Sequence, residues 1–347
     1  MKHYRIDILI TGLVTVLVGI YLGISPMISL LILAALEISL SFDNAVVNAT
    51  VLKHMSEWWQ KIFMTVGILI AVVGMRFVFP IAIVWLTASI PFMDVVDLAL
   101  HDADLYGERL HEAHSEIAML GGIFLLMVFL NFMFEDRDTK WLGPLERVLA
   151  RAERFDTLAA MIAIVVILLI TAFVPSADQL AVVATGLISL GMYLGLSLFA
   201  EVFEHEDDKL QSEIVPRTGM AAFALFMYLE FQDASFSFDG VIGAFAVTNN
   251  IIVIAAGLGI GALFVRSMTV HLLRTNKLVE LRYLEHGAHW AIGALAACLL
   301  GGVFIEISEY VVGLIGVSFI VAAITHSYRA NHKDSLATNK PQAAVVE

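Results

Sequence analysis

Charge is scarce in this sequence, and that scarcity excludes a soluble globular fold. Only 15% of the 347 residues are charged and 59% are hydrophobic, whereas soluble domains carry about 25% charged residues. Apolar runs of about 20 residues recur, each long enough to cross a hydrocarbon core of about 30 Å. The chain is therefore predicted to lie in a lipid bilayer.

Cysteine is almost absent, and so is the pattern of a membrane barrel. Cys298 is the single cysteine, so a disulfide framework is excluded. Segments of about ten residues that alternate polar and apolar, as barrel strands do, do not occur. Because lipid cannot satisfy open backbone groups, the predicted fold class is an all-α polytopic membrane protein. The formal net charge of −13 argues against nucleic acid as a partner and favours cations.

Ten transmembrane helices are predicted, and the distribution of basic residues orients them. Seventeen of the twenty Lys and Arg residues fall on the side of the N-terminus, Arg109 falls on the other side, and Arg76 and Arg266 lie inside spans. The positive-inside rule then predicts cytoplasmic N- and C-termini. The ninth and tenth spans are separated by only a few residues, so whether they are two spans stays open. The predicted spans are 6–24, 28–52, 62–87, 116–134, 157–174, 179–203, 219–247, 250–273, 289–306 and 309–326.

One acidic motif occurs twice, inside two apolar segments. Residues 37–44 read Glu-Ile-Ser-Leu-Ser-Phe-Asp-Asn, and residues 233–240 read Asp-Ala-Ser-Phe-Ser-Phe-Asp-Gly. The motifs fall in the second and seventh predicted helices, which run in opposite directions. This pattern predicts two inverted five-helix repeats, as in many secondary transporters. A duplicated structural helix would leave a similar echo, but acids at both places disfavour it.

The predicted domains follow from this repeat. Residues 1–174 form the first membrane repeat, with an outer acidic and His-rich loop at 88–115 and a cytoplasmic loop at 135–156. The latter is either an interfacial helix or a solvated connector. Residues 175–326 form the second repeat, and 327–347 are predicted to be a disordered cytoplasmic tail.

Five acids within two spans are costly unless they are neutralised. Each costs about 2.5–3.5 kcal/mol at the bilayer centre. Arg76 and Arg266 can balance two of them, and a divalent cation or protons would balance most of the remainder. A static network of ion pairs that only holds helices together is the alternative, and two bases fit five acids poorly.

The donor atoms of the motifs predict a site for a hard cation. They are oxygen atoms, which suit Mg²⁺, Ca²⁺ or Mn²⁺ better than copper or zinc. Asp43 and Asp239 can join the same face as the other acids only if the helix breaks at Ser-Phe-Asp-Asn or Ser-Phe-Asp-Gly. The predicted metal ligands are Glu37, Asp43, Asn44, Glu230, Asp233 and Asp239, with Ser41, Asn48, Ser237, Arg76 and Arg266 in support.

The outer loop is a second candidate for metal binding. Acids and histidines recur there at helical spacing, which would suit Mn²⁺ or Zn²⁺. A soluble acidic helix over the mouth of the pore explains the same pattern equally well. The candidate ligands are Asp97, His101, Glu108, His111 and His114.

The motifs resemble those of the TerC/Alx family of bacterial integral membrane proteins. The first family motif is similar to the arrangement of Glu37, Ser41, Asp43 and Asn44. The second is similar to Asp233, Phe236 and Asp239 together with residues 244–248. The segments Gly257–Arg266 and 282–287 also look similar. Typical members have about seven helices, and the family's Asp-Ser-Ile-Pro is replaced here by residues 239–242 without the proline. The resemblance implies a divalent-metal transporter of the bacterial inner membrane, since the family is associated with manganese efflux, metal supply to exported enzymes and tellurium-resistance operons.

Three functions are compatible with these patterns. The leading hypothesis is Mn²⁺ efflux by alternating access, with protons as a candidate coupling ion and no required cofactor. A membrane protein that supplies metal to exported enzymes without transporting it is the alternative, with a homo-oligomer or secretion partners left open. An intramembrane aspartyl hydrolase is less favoured, because the usual Gly-x-Gly-Asp motif is missing and Glu37 and Asp233 would have no role. We therefore expect a transporter and not an enzyme.

Overall fold

The chain folds almost entirely into helices. The computed structural model describes residues 4–88, 90–137, 139–151, 157–207, 216–245, 247–248, 250–275, 281–305, 307 and 309–338. Within these ranges, the only β-structure is a bridge between Met55 and Arg217. The helices of the first half are α1 (Tyr4–Tyr21), α2 (Ile24–Leu40), α3 (Phe42–Leu52), α4 (Glu57–Leu69), a π-helical segment (Ile70–Val78), α5 (Phe79–Ala88), α6 (Phe92–His101), α7 (Ala103–Glu112), α8 (His114–Phe134) and α9 (Gly143–Leu149). Those of the second half are α10 (Leu158–Phe173), α11 (Gln179–Asp207), α12 (Gly219–Ala244), α13 (Ile251–Arg274), α14 (Leu284–Gly302) and α15 (Glu309–Thr338).

The fold is that of an all-α membrane protein. Six helices in the described ranges are long and apolar enough to cross a membrane, or seven if the bent pair α2–α3 is one span. The predicted spans 157–174, 219–247 and 289–306 correspond to α10, α12 and α14, which are not among the six. Helix α10 has only 16 residues, and α12 and α14 carry ionisable residues that lower their hydropathy.

Two helices form the centre of the bundle. In α8 and α13, 78% and 67% of the apolar stretch is buried, compared with 11% in α1. Helix α8 packs against α11, α12 and α14, and α13 packs against α2, α3 and the π-helical segment. Most exposed side chains of α1 and α10 are apolar, among them Leu9, Leu13, Val165 and Leu168. Such an outward surface matches acyl chains and not water.

The predicted outer loop is a helical hairpin, α6–α7, that covers the end of α12. Tyr106 is fully buried, and its ring lies 6.0 Å from that of Phe245. A Cβ atom on Gly107 would lie 3.0 Å from the Phe245 ring, so glycine permits this approach. The hairpin is therefore packed onto the segment that follows the second motif.

Helix α9 lies in the predicted cytoplasmic loop and is anchored by a buried acid. The Glu146 carboxylate accepts hydrogen bonds from the Trp141 backbone (2.8 Å) and the Trp290 indole (3.0 Å), and lies 3.1 Å from His286. The exposed residues Leu145 and Val148 remain available to a membrane surface. The helix is thus tied to α14 and is not a plain solvated connector.

The C-terminal helix is longer than the sequence suggested. The disordered tail was predicted from residue 327, yet α15 continues to Thr338. Ser327 explains the first part of this extension, because it is buried and its hydroxyl accepts a hydrogen bond from the Tyr283 backbone (3.0 Å). Residues 339–347 lie outside the described ranges.

Candidate functional site

The first motif contains a break in its helix. Helix α2 ends at Leu40 and α3 begins at Phe42, and the flanking segments are bent by 55°. Ser41 between them has φ −100° and ψ 20°, and its N–H donates to the Glu37 carbonyl oxygen. The predicted departure from regular helix therefore occurs at this motif.

The second motif has no such break. Helix α12 runs without interruption through Gly240 to Ala244, so the break proposed there is wrong. The absence of a proline after Asp239 gives the reason, since glycine weakens a helix but removes no backbone donor. The side chains of Asp43 and Asp239 lie outside the described part of the structure.

Arg76 pairs with the acid that opens the first motif. Its guanidinium forms a buried ion pair with Glu37 and donates a second hydrogen bond to the Ala71 carbonyl oxygen (2.7 Å). Arg76 lies in the π-helical segment, and π-turns inside α-helices are frequent at functional sites. Both charges are almost fully buried, so breaking this pair would cost several kcal/mol.

Arg266 forms a larger cluster with the acids of α12. It binds both oxygens of Glu230 (3.0 and 3.2 Å), one oxygen of Asp233 (3.3 Å) and the Phe63 carbonyl oxygen (2.8 Å). The guanidinium also lies 3.8 Å from the centre of the Phe63 ring. Each motif thus has an arginine from a following helix that neutralises its first acid.

The two motifs cross each other in antiparallel fashion. The amide of Asn44, at the end of the first motif, donates a hydrogen bond to Asp233, at the start of the second. Gly240, at the end of the second motif, faces Glu37, at the start of the first, because a Cβ atom at 240 would lie 3.3 Å from Glu37 Oε2. When equivalent motif positions are exchanged, one contact becomes the other. The contacts therefore obey a local two-fold relationship.

Glycines on α13 bring α2 close enough for this crossing. A Cβ atom on Gly257 would lie 2.8 Å from Leu33 and 3.0 Å from the Leu30 carbonyl oxygen, and one on Gly261 would overlap the Glu37 side chain. This spacing is the small-residue pattern that packs membrane helices closely. Gly67 does the same beside Arg266 and Glu230. Sequence reasoning singled out none of these contacts, although the Gly-x-x-x-Gly spacing was a usable signal.

Two buried carboxamides extend the polar region. Asn48 on α3 and Gln232 on α12 are fully buried, and neither side chain has a hydrogen-bond partner among the described residues. Burying an amide without a partner costs about 1–3 kcal/mol, which a purely structural position would avoid. Asn48 was predicted as a supporting residue, whereas Gln232 was not.

The remaining predicted residues are dispersed. Ser237 is buried and donates to the Asp233 carbonyl oxygen (2.8 Å), and Ser41 is partly buried. In the outer hairpin, Asp97 and His101 form an exposed pair at 2.8 Å, the rings of His111 and His114 lie 6.1 Å apart, and Glu108 is exposed. Nowhere in the described ranges do three His, Cys, Asp or Glu residues converge as a metal site would require.

Residues 42–334 match the model of a family described as "Protein of unknown function (DUF475)". The chain belongs to this family. Neither the curated proteins nor the solved structures contain a match. The DUF475 region includes Asp43, Asn44 and the whole second motif, whereas Glu37 precedes it. The resemblance to TerC/Alx stays a prediction.

This DUF475 chain also has a buried acid that sequence reasoning missed. Asp7 on α1 is only 6% exposed and is hydrogen-bonded by Ser267 of α13, the residue after Arg266. The sequence signal that could have indicated this buried acid was an Asp inside the first apolar run. Asp7 therefore places a further buried acid at the contact between α1 and α13.

Proposed function

We propose that the protein moves a divalent metal cation, with Mn²⁺ as the first choice, out of the cytoplasm across a bacterial inner membrane. The observation that carries the proposal is the crossing of the two acidic motifs, with Asn44 on Asp233 and Gly240 against Glu37. It brings carboxylate and carboxamide oxygens of two helices to one buried place. Such oxygen donors favour Mn²⁺, Mg²⁺ or Ca²⁺.

Charge balance supports a cation as the missing partner. The motif helices carry five acids; among the described side chains, Arg76 pairs with Glu37, and Arg266 pairs with Glu230 and Asp233. Three negative charges would remain if all five were ionised, which is costly in a bilayer. One divalent ion and one proton would neutralise them, so proton-coupled exchange fits the same balance.

The arginines hold the acids in the arrangement seen here. Arg76 forms an ion pair with Glu37, and Arg266 forms ion pairs with both Glu230 and Asp233, of which its single charge balances one. A cation that binds these carboxylates has to displace the guanidinium groups. We therefore assign the arginines the role of tethered counter-charges that stabilise the acids when the metal leaves.

Alternating access explains why the acidic motif occurs twice, in helices that run in opposite directions. Inverted repeats place a site at the midplane and open it to either side by moving one half against the other. The local two-fold exchange of contacts supports such a repeat, and ten spans in two halves of five remain part of this proposal. The kink at Ser41 and the unbroken α12 are two conformations of equivalent segments.

Metal flux into proteoliposomes tests the function. Purified protein is reconstituted around a metal-sensitive dye, and uptake of Mn²⁺, Mg²⁺, Ca²⁺ and Zn²⁺ is compared with and without a proton gradient. We expect Asp43→Asn and Asp239→Asn to abolish Mn²⁺ flux and Asp94→Asn, an exposed acid on α6, to leave it unchanged. Wild-type flux in both motif variants would contradict the proposal.

Supply of metal to exported enzymes is the second candidate. The folded hairpin α6–α7 favours it, because its exposed Asp97–His101 pair presents metal-binding groups at the surface. This function predicts no flux of any ion in the same assay. It also predicts that an exported metalloenzyme obtains less metal when the hairpin residues Asp97 and His101 are replaced by Asn and Gln.

A further inference from the structure

Two carboxamide side chains on the motif helices are buried without hydrogen-bond partners. Asn48 on α3 and Gln232 on α12 are each 0% exposed. In the part of the chain that the structure describes, neither the oxygen nor the nitrogen of either carboxamide is hydrogen-bonded. Most buried polar side chains do have a partner, so these two indicate a ligand.

Asn48 continues the face of α3 that meets the second motif. It lies one turn after Asn44 in the same helix, so the two side chains project from one face. The Asn44 amide on this face donates a hydrogen bond to Asp233 of α12. Asn48 is thus one helical turn beyond a contact between the two motifs.

Gln232 lies at the level of the carboxylates of α12. It directly precedes Asp233 and comes two residues after Glu230 in one unbroken helix. Arg266 forms ion pairs with both of these acids. The side chain of Gln232 therefore leaves the backbone at the same depth as the acids.

One end of the motif crossing carries these carboxamides, and the other does not. In the alignment of the two motifs, Gln232 falls opposite Leu36, and Asn48 falls opposite Ala244. Both counterparts are apolar. A helix duplicated only for its packing would have no need of the carboxamides, so they belong to the half of the crossing that contains Asp233.

A hard divalent cation needs several oxygen ligands besides the acids of this half. Mn²⁺ and Mg²⁺ are typically surrounded by roughly six oxygen atoms from protein or water. Glu230 and Asp233 supply carboxylates, and the single charge of Arg266 balances one of them. Carboxamide oxygens are known ligands of hard cations, and they add to the ligand set without adding negative charge.

We propose that Asn48 and Gln232 supply neutral oxygen ligands to a divalent cation at the Asp233 half of the site. Their NH₂ groups then donate to carboxylate oxygens or to water, as the Asn44 amide donates to Asp233. The inference rests on the proposed function and deepens it, because it names the neutral part of the ligand set.

Unfolding without metal separates a ligand role from a structural one. Asn48→Leu and Gln232→Leu each replace a carboxamide by an apolar group of similar size. We expect both variants to unfold in metal-free detergent micelles at the wild-type temperature or above it, because a buried amide without a partner is costly. Carboxamides that stabilise the fold would instead give lower unfolding temperatures.

Calorimetric titration of the full-length protein with Mn²⁺ gives the second measurement. We expect the Kd for Mn²⁺ to rise about tenfold in each Leu variant, a loss that is typical for residues supporting a metal site. Mn²⁺ should also raise the unfolding temperature of these variants less than that of the wild type.

Variants that keep an oxygen atom provide the rescue. Asn48→Asp and Gln232→Glu should bind Mn²⁺ at least as tightly as the wild type. Their metal-free forms should unfold at a lower temperature, because each buries a further charge. A structural requirement for the carboxamide would not produce this order of affinities.

Gln60→Leu is the matched control. Gln60 on α4 is a carboxamide with partners, since its NH₂ group donates to the carbonyl oxygens of Leu52 (3.1 Å) and Met55 (2.9 Å). Its replacement should lower the unfolding temperature and leave the Kd for Mn²⁺ unchanged. Both results are the opposite of those expected for Asn48 and Gln232.

Two results would overturn the inference. One is a wild-type Kd for Mn²⁺ in the double variant Asn48→Leu/Gln232→Leu. The other is a lower metal-free unfolding temperature in both Leu variants together with weak Mn²⁺ binding by Asn48→Asp and Gln232→Glu. Failure of the proposed function has a different signature, since Mn²⁺ flux would then be absent or indifferent to Asp43→Asn and Asp239→Asn, whatever the carboxamide variants do to Mn²⁺ binding.

Discussion

Replacement of Gly261 by alanine tests the packing on which the crossing of the motifs rests. A Cβ atom at this position would overlap Cβ and Cγ of Glu37 and would lie 3.5 Å from the Ala34 carbonyl oxygen. The inner part of the Glu37 side chain cannot rotate away, because its carboxylate is bound by Arg76. Helices α2 and α13 must therefore move apart.

The size of the effect follows from two opposing contributions. Overpacking a well-packed interior costs about 1–3 kcal/mol, whereas Gly→Ala inside a helix gains up to about 1 kcal/mol. Gly195→Ala is the matched control, since Gly195 on α11 has no atom within 4 Å of its added Cβ. The difference between the two variants removes the helical contribution and leaves about 1–3 kcal/mol for packing.

Thermal unfolding in detergent micelles, followed by far-UV circular dichroism, measures this difference. We expect Gly261→Ala to unfold at a lower temperature than the wild type and Gly195→Ala at an equal or higher one. Mn²⁺ flux should fall only in Gly261→Ala, because the Glu37 carboxylate is displaced. If Gly261→Ala unfolds no earlier than Gly195→Ala, α2 does not contact α13 as described.

Three further substitutions have defined outcomes. Arg266→Met leaves Glu230 and Asp233 buried without their base and should lower the free energy of unfolding by about 3–5 kcal/mol. Adding Glu230→Gln should restore part of this loss. Equal unfolding temperatures for Arg266→Met and the wild type would refute the cluster. Asn44→Asp places a second carboxylate beside Asp233, so the variant should unfold at a lower temperature than the wild type when no metal is added. Adding Mn²⁺ should raise the unfolding temperature of the variant more than that of the wild type. An unfolding temperature of the variant that does not respond to Mn²⁺ would speak against the site. Tyr106→Phe removes a hydroxyl with no hydrogen-bond partner in the described ranges and should change the free energy of unfolding by less than about 1 kcal/mol. In the wild type, burial raises the pKa of Tyr106. Ultraviolet titration should therefore find its phenol protonated above pH 10 until the protein unfolds.

The sequence predicted the ion pairs of the two intramembrane arginines better than it predicted the backbone geometry of the motifs. Charge balance alone indicated that Arg76 and Arg266 neutralise acids of the motifs, and both arginines do so. The sequence indicated a break at either motif, but only the first motif has one. Helical periodicity cannot distinguish the two motifs, because a break also depends on what the segment packs against.

Contacts between distant residues were beyond the sequence. Glu146 and Trp290 are far apart in the chain, and neither local pattern indicates that they form a hydrogen bond. The Gly-x-x-x-Gly spacing that includes Gly261 indicates close helix packing but not which helix packs there, and the isolated Gly67 gives no such indication. Glycine is needed at these positions because a side chain of another helix occupies the space that a Cβ atom would fill.

The unequal ends of the motifs decide which half of the site is the more readily opened. Asn44 engages Asp233, and Arg266 holds Asp233 and Glu230 together with a carbonyl oxygen and an aromatic ring. Among the side chains that the structure describes, Glu37 instead faces Gly240, which offers it no polar side chain, and Arg76 binds one further acceptor, the Ala71 carbonyl oxygen. Of these described bonds, fewer hold Glu37 than hold Asp233, so the proposed cation would have to break fewer of them to reach Glu37. A site with local two-fold symmetry thus has one firmly held half and one loosely held half, and exchange of the cation is expected to begin at the Glu37 half.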